Sequence, residues 1–163
     1  MHGVAIVSGV IGSLALAALA VASEPAAWSP APFEQSRLAD RPVLLVVADP
    51  SCAPCQAAAT AVHADQGVAD RVARDFVVVH ADAIARPDLA DEFGLAVREL
   101  GGGSGFPLLV ALTPDTHPYL GRGGLDAFEP AAFDRFATEA VSGFRTARSG
   151  LDARAAAVLD TLR

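Results

Sequence analysis

The chain has 163 residues, of which 52% are hydrophobic and 19% are charged, and its formal net charge is −7. Such a composition can bury a core, which excludes an intrinsically disordered protein. An acidic chain lacks the basic surface that binds phosphates, so no nucleic acid is expected as a partner. With only two cysteines, the chain is not a disulfide-rich scaffold and has no zinc site made of cysteines alone.

The N-terminal segment, residues 1–22, contains an uncharged run over residues 3–22 that ends in Ala20-Val21-Ala22. This Ala-x-Ala ending, followed by the polar residues 23–25, is typical of a signal-peptidase site. The run lacks a charged n-region and is close to the roughly 20 residues that span a bilayer. Three interpretations stay open: a cleaved signal peptide, a membrane anchor, or a buried helix of the fold. The first two predict an extracytoplasmic domain (periplasmic, secreted or anchored facing outward), where a disulfide can persist.

Residues 23–150 are predicted to form one domain, beginning with a Pro-rich linker over 26–32 and a short helix over 33–40. The continuous apolar run over residues 43–48 is typical of a strand that is buried on both faces. A turn follows at Asp49-Pro50-Ser51, with Ser51 as a candidate N-cap for a helix over about residues 52–70.

The second half of the chain predicts two more strands, a hairpin and a long helix. Residues 76–81 form another buried strand, and residues 86–100 a helix that leads into a glycine-rich loop over 101–105. A third strand over 106–112 and a fourth around Tyr119 and Leu120 are close enough in sequence to pair as an antiparallel hairpin. A helix over 129–148 follows, with its phenylalanines on one face.

Residues 151–163 are predicted to be a helical tail that covers an edge of the core or binds a partner. The order β-α-β-α-β-β-α predicts an α/β fold, a three-layer sandwich with a central mixed sheet of about four strands. The arrangement resembles that of thioredoxin, although the pattern alone also fits other α/β sandwiches.

The cysteines lie in the sequence Cys52-Ala53-Pro54-Cys55, just after a predicted strand and on the first turn of a helix. Free N–H groups and the helix dipole at that position favour a thiolate, which predicts a lowered pKa and a nucleophilic role for Cys52. Cys55, one turn later, would resolve a mixed disulfide by attacking Cys52. Pro54 is tolerated in the first turn and restricts the loop, so Ala53 and Pro54 are predicted to support the pair. An inert disulfide and a metal site remain as alternatives.

Several segments together resemble the thioredoxin-like domain of the spermatogenesis-associated protein family and its bacterial relatives. The likeness runs from Trp28 to Gly121 and includes the Cys pair. It is carried by Trp28, residues 41–45, residues 82–88 ending in Arg-Pro-Asp, the Ser-Gly-Phe-Pro-Leu sequence of residues 104–108, and the Leu-Thr-Pro-Asp sequence of residues 112–115.

The resemblance implies a thioredoxin-like fold and a second feature of the site, Phe106-Pro107. In thioredoxin folds a cis-proline faces the Cys pair, so Pro107 is expected to be cis and, with Phe106, to present backbone groups to an extended substrate. The chain departs from thioredoxins at two positions. Ser51 stands where they have Trp, and Val46 stands where they have a buried Asp that assists proton transfer to the second Cys.

The chain also departs from the spermatogenesis-associated family, because Ile84 and Ala85 replace two glutamates of that family. Together these features predict an extracytoplasmic thiol–disulfide oxidoreductase that acts on protein thiols or disulfides, with a membrane redox partner and no cofactor or resident metal. One alternative is a non-catalytic binding module with a structural Cys pair, which the departures favour. A weaker alternative is a carrier of a soft ion such as copper(I) held by the two thiols.

Overall fold

The computed structural model of the protein describes residues 26–146, 150 and 157–161. The predictions for residues 1–22, for residues 147–148 of the last helix and for most of the tail therefore lie outside the described residues. Within the tail, residues 157–161 are helical. In the parts of the chain that are described, no helix is both long and apolar enough to cross a membrane.

A mixed sheet forms the centre of the molecule, and helices cover both of its faces. The strands are Ala26–Ala27 (β1), Val43–Ala48 (β2), Val77–Asp82 (β3), Leu108–Leu112 (β4) and Pro118–Gly123 (β5). The helices are Pro30–Ala39 (α1), Ala53–Ala64 (α2), Gln66–Asp75 (α3), Pro87–Glu99 (α4) and Pro130–Thr146 (α5), and a short 3-10 helix covers Leu125–Phe128.

The strand order across the sheet is β1-β3-β2-β4-β5. Strand β3 pairs in parallel with β1 and β2, whereas β4 pairs antiparallel with β2 and β5. The predicted α/β sandwich, parallel pair and hairpin are therefore confirmed. The sheet has one strand more than the four predicted. This strand is β1: Ala26 and Ala27, which were predicted to belong to a linker, pair with Val79 and His80 at the edge of the sheet.

Alternating side chains of the strands enter two separate hydrophobic cores. Val43, Leu45 and Val47 pack on one face of β2 with the phenylalanines of α1 and α4. Leu44 packs on the other face with the phenylalanines of α5 and the 3-10 helix. The two-residue period of a strand delivers side chains to both faces, so a wholly apolar strand can be buried on both sides.

The single helix predicted over residues 52–70 is wrong, because the structure has two helices there. Asp65 has extended backbone angles and its Oδ1 accepts a hydrogen bond from the N–H of Val68 at 2.9 Å. This is an N-cap interaction, which starts α3 after α2 ends at Ala64. An aspartate inside an apparently continuous helical pattern is therefore the break point.

Strand β4 begins at Leu108 rather than at Phe106. The preceding glycine loop runs beside the end of β5, where the N–H of Gly123 donates to the carbonyl of Gly102 at 2.8 Å. A Cβ on Gly102 would lie 2.2 Å from the carbonyl oxygen of Gly121, so only glycine allows this close approach. The loop is thereby held against the sheet just before Phe106 and Pro107.

Candidate functional site

The Cys pair follows the central strand β2 through a hydrogen-bonded turn. Oδ1 of Asp49 accepts hydrogen bonds from the backbone N–H and the hydroxyl of Ser51, at 2.8 and 2.7 Å. The N–H of Cys52 donates to the carbonyl of Asp49 at 3.1 Å. Ser51 thus bonds to Asp49. The prediction that it caps the helix is therefore wrong. The residue at the cap is Cys52.

Cys52 occupies the N-cap position of α2 and is joined to Cys55 by a disulfide with a Cα–Cα distance of 5.2 Å. The carbonyl of Cys52 accepts from the N–H of Gln56 at 3.1 Å, which is the first hydrogen bond of the helix. The N–H of Cys55 donates to the Sγ of Cys52 at 3.2 Å. The sulfur of Cys52 therefore takes the place that a serine or aspartate oxygen takes in an ordinary N-cap.

The two sulfur-bearing residues differ in their access to solvent. Cys55 is 2% exposed, whereas Cys52 is only half-buried, and Ala53 and Pro54 between them are exposed. A reactant can therefore approach Cys52 more easily than Cys55. A helix N-terminus stabilises negative charge on a group that its N–H groups face, which suits a cysteine that reacts as a thiolate.

Phe106 and Pro107 lie at the same end of the sheet as the Cys pair. Val47 pairs with Leu108 in the antiparallel register of β2 and β4, so the residues before Leu108 lie beside the end of β2. The Phe106–Pro107 peptide bond is cis, Pro107 is buried and Phe106 is half-buried. The carbonyl of Pro107 accepts from the N–H of Gly124 at 3.1 Å, which connects this segment to the end of β5.

Two carboxylates at this end of the sheet have lowered pKa values. Hydrogen bonds from the Ser51 hydroxyl and then from its N–H hold the pKa of Asp49 below its ordinary value. Further along the same end, Arg86 forms an ion pair with Asp88 at 2.6 Å, and its hydrogen bond lowers the pKa of that carboxyl. Val46, where thioredoxins have a buried aspartate, is half-buried and packs against the core that contains α5.

Asp49 was not selected as a site residue from the sequence. Asp49 was recognisable only as a turn residue. Among the described residues, no group of three or more His, Cys, Asp or Glu side chains could hold a metal ion.

A Cys-x-x-Cys pair at the N-terminus of a helix, directly after the central strand of this mixed sheet, defines a thioredoxin-like protein. The fold is similar to a thioredoxin from Thermus thermophilus, with a TM-score of 0.55 and 19% sequence identity. The alignment covers 75% of this chain and 91% of that one.

Residues 18–163 match the family model described as Thioredox_DsbH, a protein of unknown function (DUF255), and the chain belongs to this family. It is similar to human spermatogenesis-associated protein 20, with 28% identity over 94 residues. The rat protein of the same name is 26% identical over the same length. In both cases the match covers 58% of this chain but 12% of the relative. The resemblance predicted from the sequence is therefore confirmed.

Proposed function

We propose that the protein is an extracytoplasmic thiol–disulfide oxidoreductase that acts on proteins through Cys52 and Cys55. The observation that carries this proposal is the position of Cys52: it is half-buried at the helix cap, its sulfur accepts an N–H, and its partner is covered. A thiol that is both accessible and stabilised as a thiolate is suited to attack a disulfide.

The exchange proceeds in two displacements. In the reduced protein the Cys52 thiolate attacks one sulfur of a substrate disulfide, so that a mixed disulfide forms and one substrate thiolate leaves. The Cys55 thiolate then attacks the Sγ of Cys52, which closes the protein disulfide and releases the second substrate thiolate. Two electrons pass from the protein to the substrate, and the reverse sequence oxidises a dithiol. A membrane redox partner would restore the starting state of the pair.

Phe106 and Pro107 serve in this proposal as the substrate-binding segment. Their place beside the end of β2 supports the role, because backbone groups there lie at the end of the strand that leads to Cys52. An extended substrate segment adds to such an edge through main-chain hydrogen bonds. Ala53 and Pro54 support the pair by completing the first turn of α2 between its cysteines.

The exchange is tested by equilibrating the full chain, in detergent, with glutathione buffers of graded ratio and counting free thiols by mass. A reversible two-thiol transition is expected, and its midpoint shows whether the pair acts as an oxidant or a reductant. Cys55→Ala should accumulate a mixed disulfide on Cys52, whereas Cys52→Ala should lose exchange. Unchanged exchange in Cys52→Ala would contradict the mechanism.

The second candidate function is a binding module whose disulfide is structural. It is favoured by Val46, which offers no carboxylate to accept a proton from Cys55, and by Ser51 in place of Trp. A pair that stays oxidised in every glutathione buffer would select this function instead of the oxidoreductase.

The extracytoplasmic location is supported by the uncharged run over residues 3–22. The N-terminal mass of the protein recovered from the cells that produce it tests this location. A chain starting at Ser23 indicates a cleaved signal, and an intact chain in the membrane fraction indicates an anchor. An intact chain in the soluble cytoplasmic fraction would contradict both.

A further inference from the structure

A cavity of about 410 Å³ lies between α4 and the segment that leads from the glycine loop into β4. Residues of α4 form one wall, and Gly105, Phe106 and Leu108 form the other. A volume of this size is within the range of pockets that hold small molecules. The Phe93 side chain of α4 packs in one core, whereas Ala58 of α2 packs against the other core. The cavity and the helix that begins at the Cys pair therefore lie on opposite faces of the sheet.

The floor of the cavity is apolar, and it is open because α4 has a glycine there. A Cβ on Gly94 would lie 4.0 Å from Cδ1 of Leu108, so a longer side chain at this position would enter the space between the helix and the strand. Leu108 is 2% exposed, and the lining residues Leu95 and Phe106 are half-buried. These three side chains offer an apolar surface to part of a ligand.

Arg98 gives the cavity a positive charge. Its side chain turns back over Gly94, since its Nη1 would be 3.8 Å from a Cβ at that position. In the parts of the chain that the structure describes, Arg98 forms no ion pair within 4.0 Å. Arg86 and Arg122, by contrast, each pair with a carboxylate of the protein. The guanidinium of Arg98 is therefore free to bind an anionic group.

Asp91 gives the same cavity a negative charge at a distance from Arg98. Asp91 is exposed and is three residues before Gly94, so these two positions are neighbours on the surface of α4. Among the ion pairs of the described residues none joins Asp91 to Arg98, so their charged groups are more than 4.0 Å apart. The cavity therefore contains two opposite charges that do not neutralise each other directly.

A ligand that carries both charges fits this arrangement better than a ligand that carries one. A simple organic acid would bind Arg98 but be repelled by Asp91, and a simple amine would meet the reverse. An ammonium and a carboxylate on the same carbon can bridge the two side chains, with a hydrogen bond of about 2.9 Å at each end. The N–H groups of Gly105 and Phe106 bond to no other group in the described part of the chain, so they can donate to the carboxylate as well.

We propose that this cavity binds a zwitterionic α-amino acid with an apolar side chain. Arg98 binds the carboxylate, Asp91 binds the ammonium, and the apolar side chain of the ligand packs on the floor at Leu108. A ligand this small is expected to bind with a Kd of about 1 mM. The inference does not rest on the proposed exchange at Cys52, because the site uses no sulfur and lies on the other face of the sheet.

The test titrates the isotope-labelled full chain, in detergent at neutral pH, with four probes. NMR follows the backbone amides of Gly94, Gly105 and Leu108, which line the cavity. L-Leucine carries both charges and an apolar side chain. Isocaproate lacks the ammonium, isopentylamine lacks the carboxylate, and glycine lacks the apolar side chain, so each of these probes removes one feature of the proposed ligand.

Two variants test the charged residues one at a time. Arg98→Gln and Asp91→Asn each remove one charge from an exposed side chain and keep its approximate size. The matched control is Arg135→Gln, which changes an exposed arginine of α5 on the opposite face of the sheet. Urea midpoints check that all three variants fold.

Leucine should shift the cavity amides saturably, and each other probe should bind about tenfold more weakly, since one hydrogen bond to a charged group contributes about that factor. Arg98→Gln should weaken leucine about tenfold without weakening isopentylamine, and Asp91→Asn should weaken leucine without weakening isocaproate. Arg135→Gln should change nothing. The absence of a saturable shift with leucine, equal affinity for leucine and either singly charged probe, or an equal loss in Arg135→Gln would overturn the site.

Discussion

Cys52 combines two roles in one position, since it ends the Asp49–Ser51 turn and its sulfur caps α2. The sulfur and the N–H of Cys55 are 3.2 Å apart, so any negative charge on Cys52 lies against an open donor of the helix. Cys55 follows one turn later and is covered by the fold. The same short sequence therefore makes one cysteine available to reactants and protects the other.

This asymmetry predicts the order in which the reduced thiols are alkylated. At neutral pH, iodoacetamide should modify Cys52 well before Cys55, because Cys52 is accessible and faces the helix N–H groups while Cys55 is buried. Peptide mass spectrometry after timed quenching measures both rates. In urea the two rates should become similar, and faster modification of Cys55 in the folded protein would contradict the assigned roles.

The stability of the turn before the Cys pair should depend on the protonation of Asp49. Hydrogen bonds from Ser51 lower the pKa of Asp49, so this turn is favoured above the ordinary Asp value near pH 3.9 and is lost as the pH falls through the lower folded value. Ser51→Ala removes the hydroxyl bond and should raise the pKa of Asp49, measured by NMR of the carboxyl carbon. Asp88, whose pKa depends on Arg86, serves as the control and should not move.

The glycine loop before Phe106 is positioned by close backbone contacts with the end of β5. The loop before Phe106 approaches β5 through Gly102 and Gly121, and the 3-10 helix continues the same contact through Gly124. A loop held this closely fixes the start of the Phe106–Pro107 segment, and Phe106 itself packs against the core that contains Phe93. The placement of this segment therefore depends on the absence of a Cβ at Gly102.

Gly102→Ala should destabilise the protein by about 1–3 kcal/mol, the usual cost of inserting a methyl group where there is no space for it. The added Cβ would meet the Gly121 carbonyl oxygen, a backbone atom that cannot move aside alone. The matched variant is Gly94→Ala in α4, where the nearest atoms are at 3.8 and 4.0 Å. It should be neutral or stabilising by up to about 1 kcal/mol, because alanine is the better helix former.

Urea denaturation of both variants compares these two effects. A destabilised Gly102→Ala protein should also lose protection of the Gly123 amide against hydrogen exchange, since that amide bonds to the displaced loop. If Gly102→Ala and Gly94→Ala shifted the midpoint alike, the close approach would have no special cost.

The molecule as a whole has two hydrophobic cores separated by one sheet, with the Cys pair at the end of the sheet. Tyr119 reports on the core that contains α5, because its hydroxyl donates to the Ala140 carbonyl at 3.1 Å inside that core. Burial raises the pKa of Tyr119 above its ordinary value of 10.0. The folded protein therefore keeps this hydroxyl neutral at a pH where the unfolded chain loses the proton.

Since the chain has only one tyrosine, its ionisation can be followed directly. The unfolded state loses more protons above pH 10, so stability should fall as the pH rises beyond that value. Tyrosinate absorbance should appear only together with the loss of far-UV circular dichroism. Tyrosinate forming near pH 10 in a protein that remains folded would show that the hydroxyl is accessible to solvent.

The sequence by itself determined the strands β2 and β3, the hairpin and the helix-opening Cys pair, because continuous apolar runs and turn residues act locally. It did not reveal the break at Asp65. The carboxylate of Asp65 caps α3 only because α2 ends at Ala64, and the helical pattern of the sequence runs past that point without a visible stop. It also took Ala26 and Ala27 for a linker, because two residues carry no strand period and become a strand only when β3 provides a partner edge.

The neighbours of Cys52 were decided by the tertiary structure alone. Ile84 and Leu125 are far from the cysteines in sequence. They reach the same end of the sheet because β3 runs parallel to β2, and because β5, which is antiparallel to β4, runs in the same direction as β2. Periodicity shows which residues are buried within a strand, but strand order is a property of the whole sheet. The position of the Cys pair could therefore be predicted from the sequence, whereas the segments that surround it could be identified only from the fold.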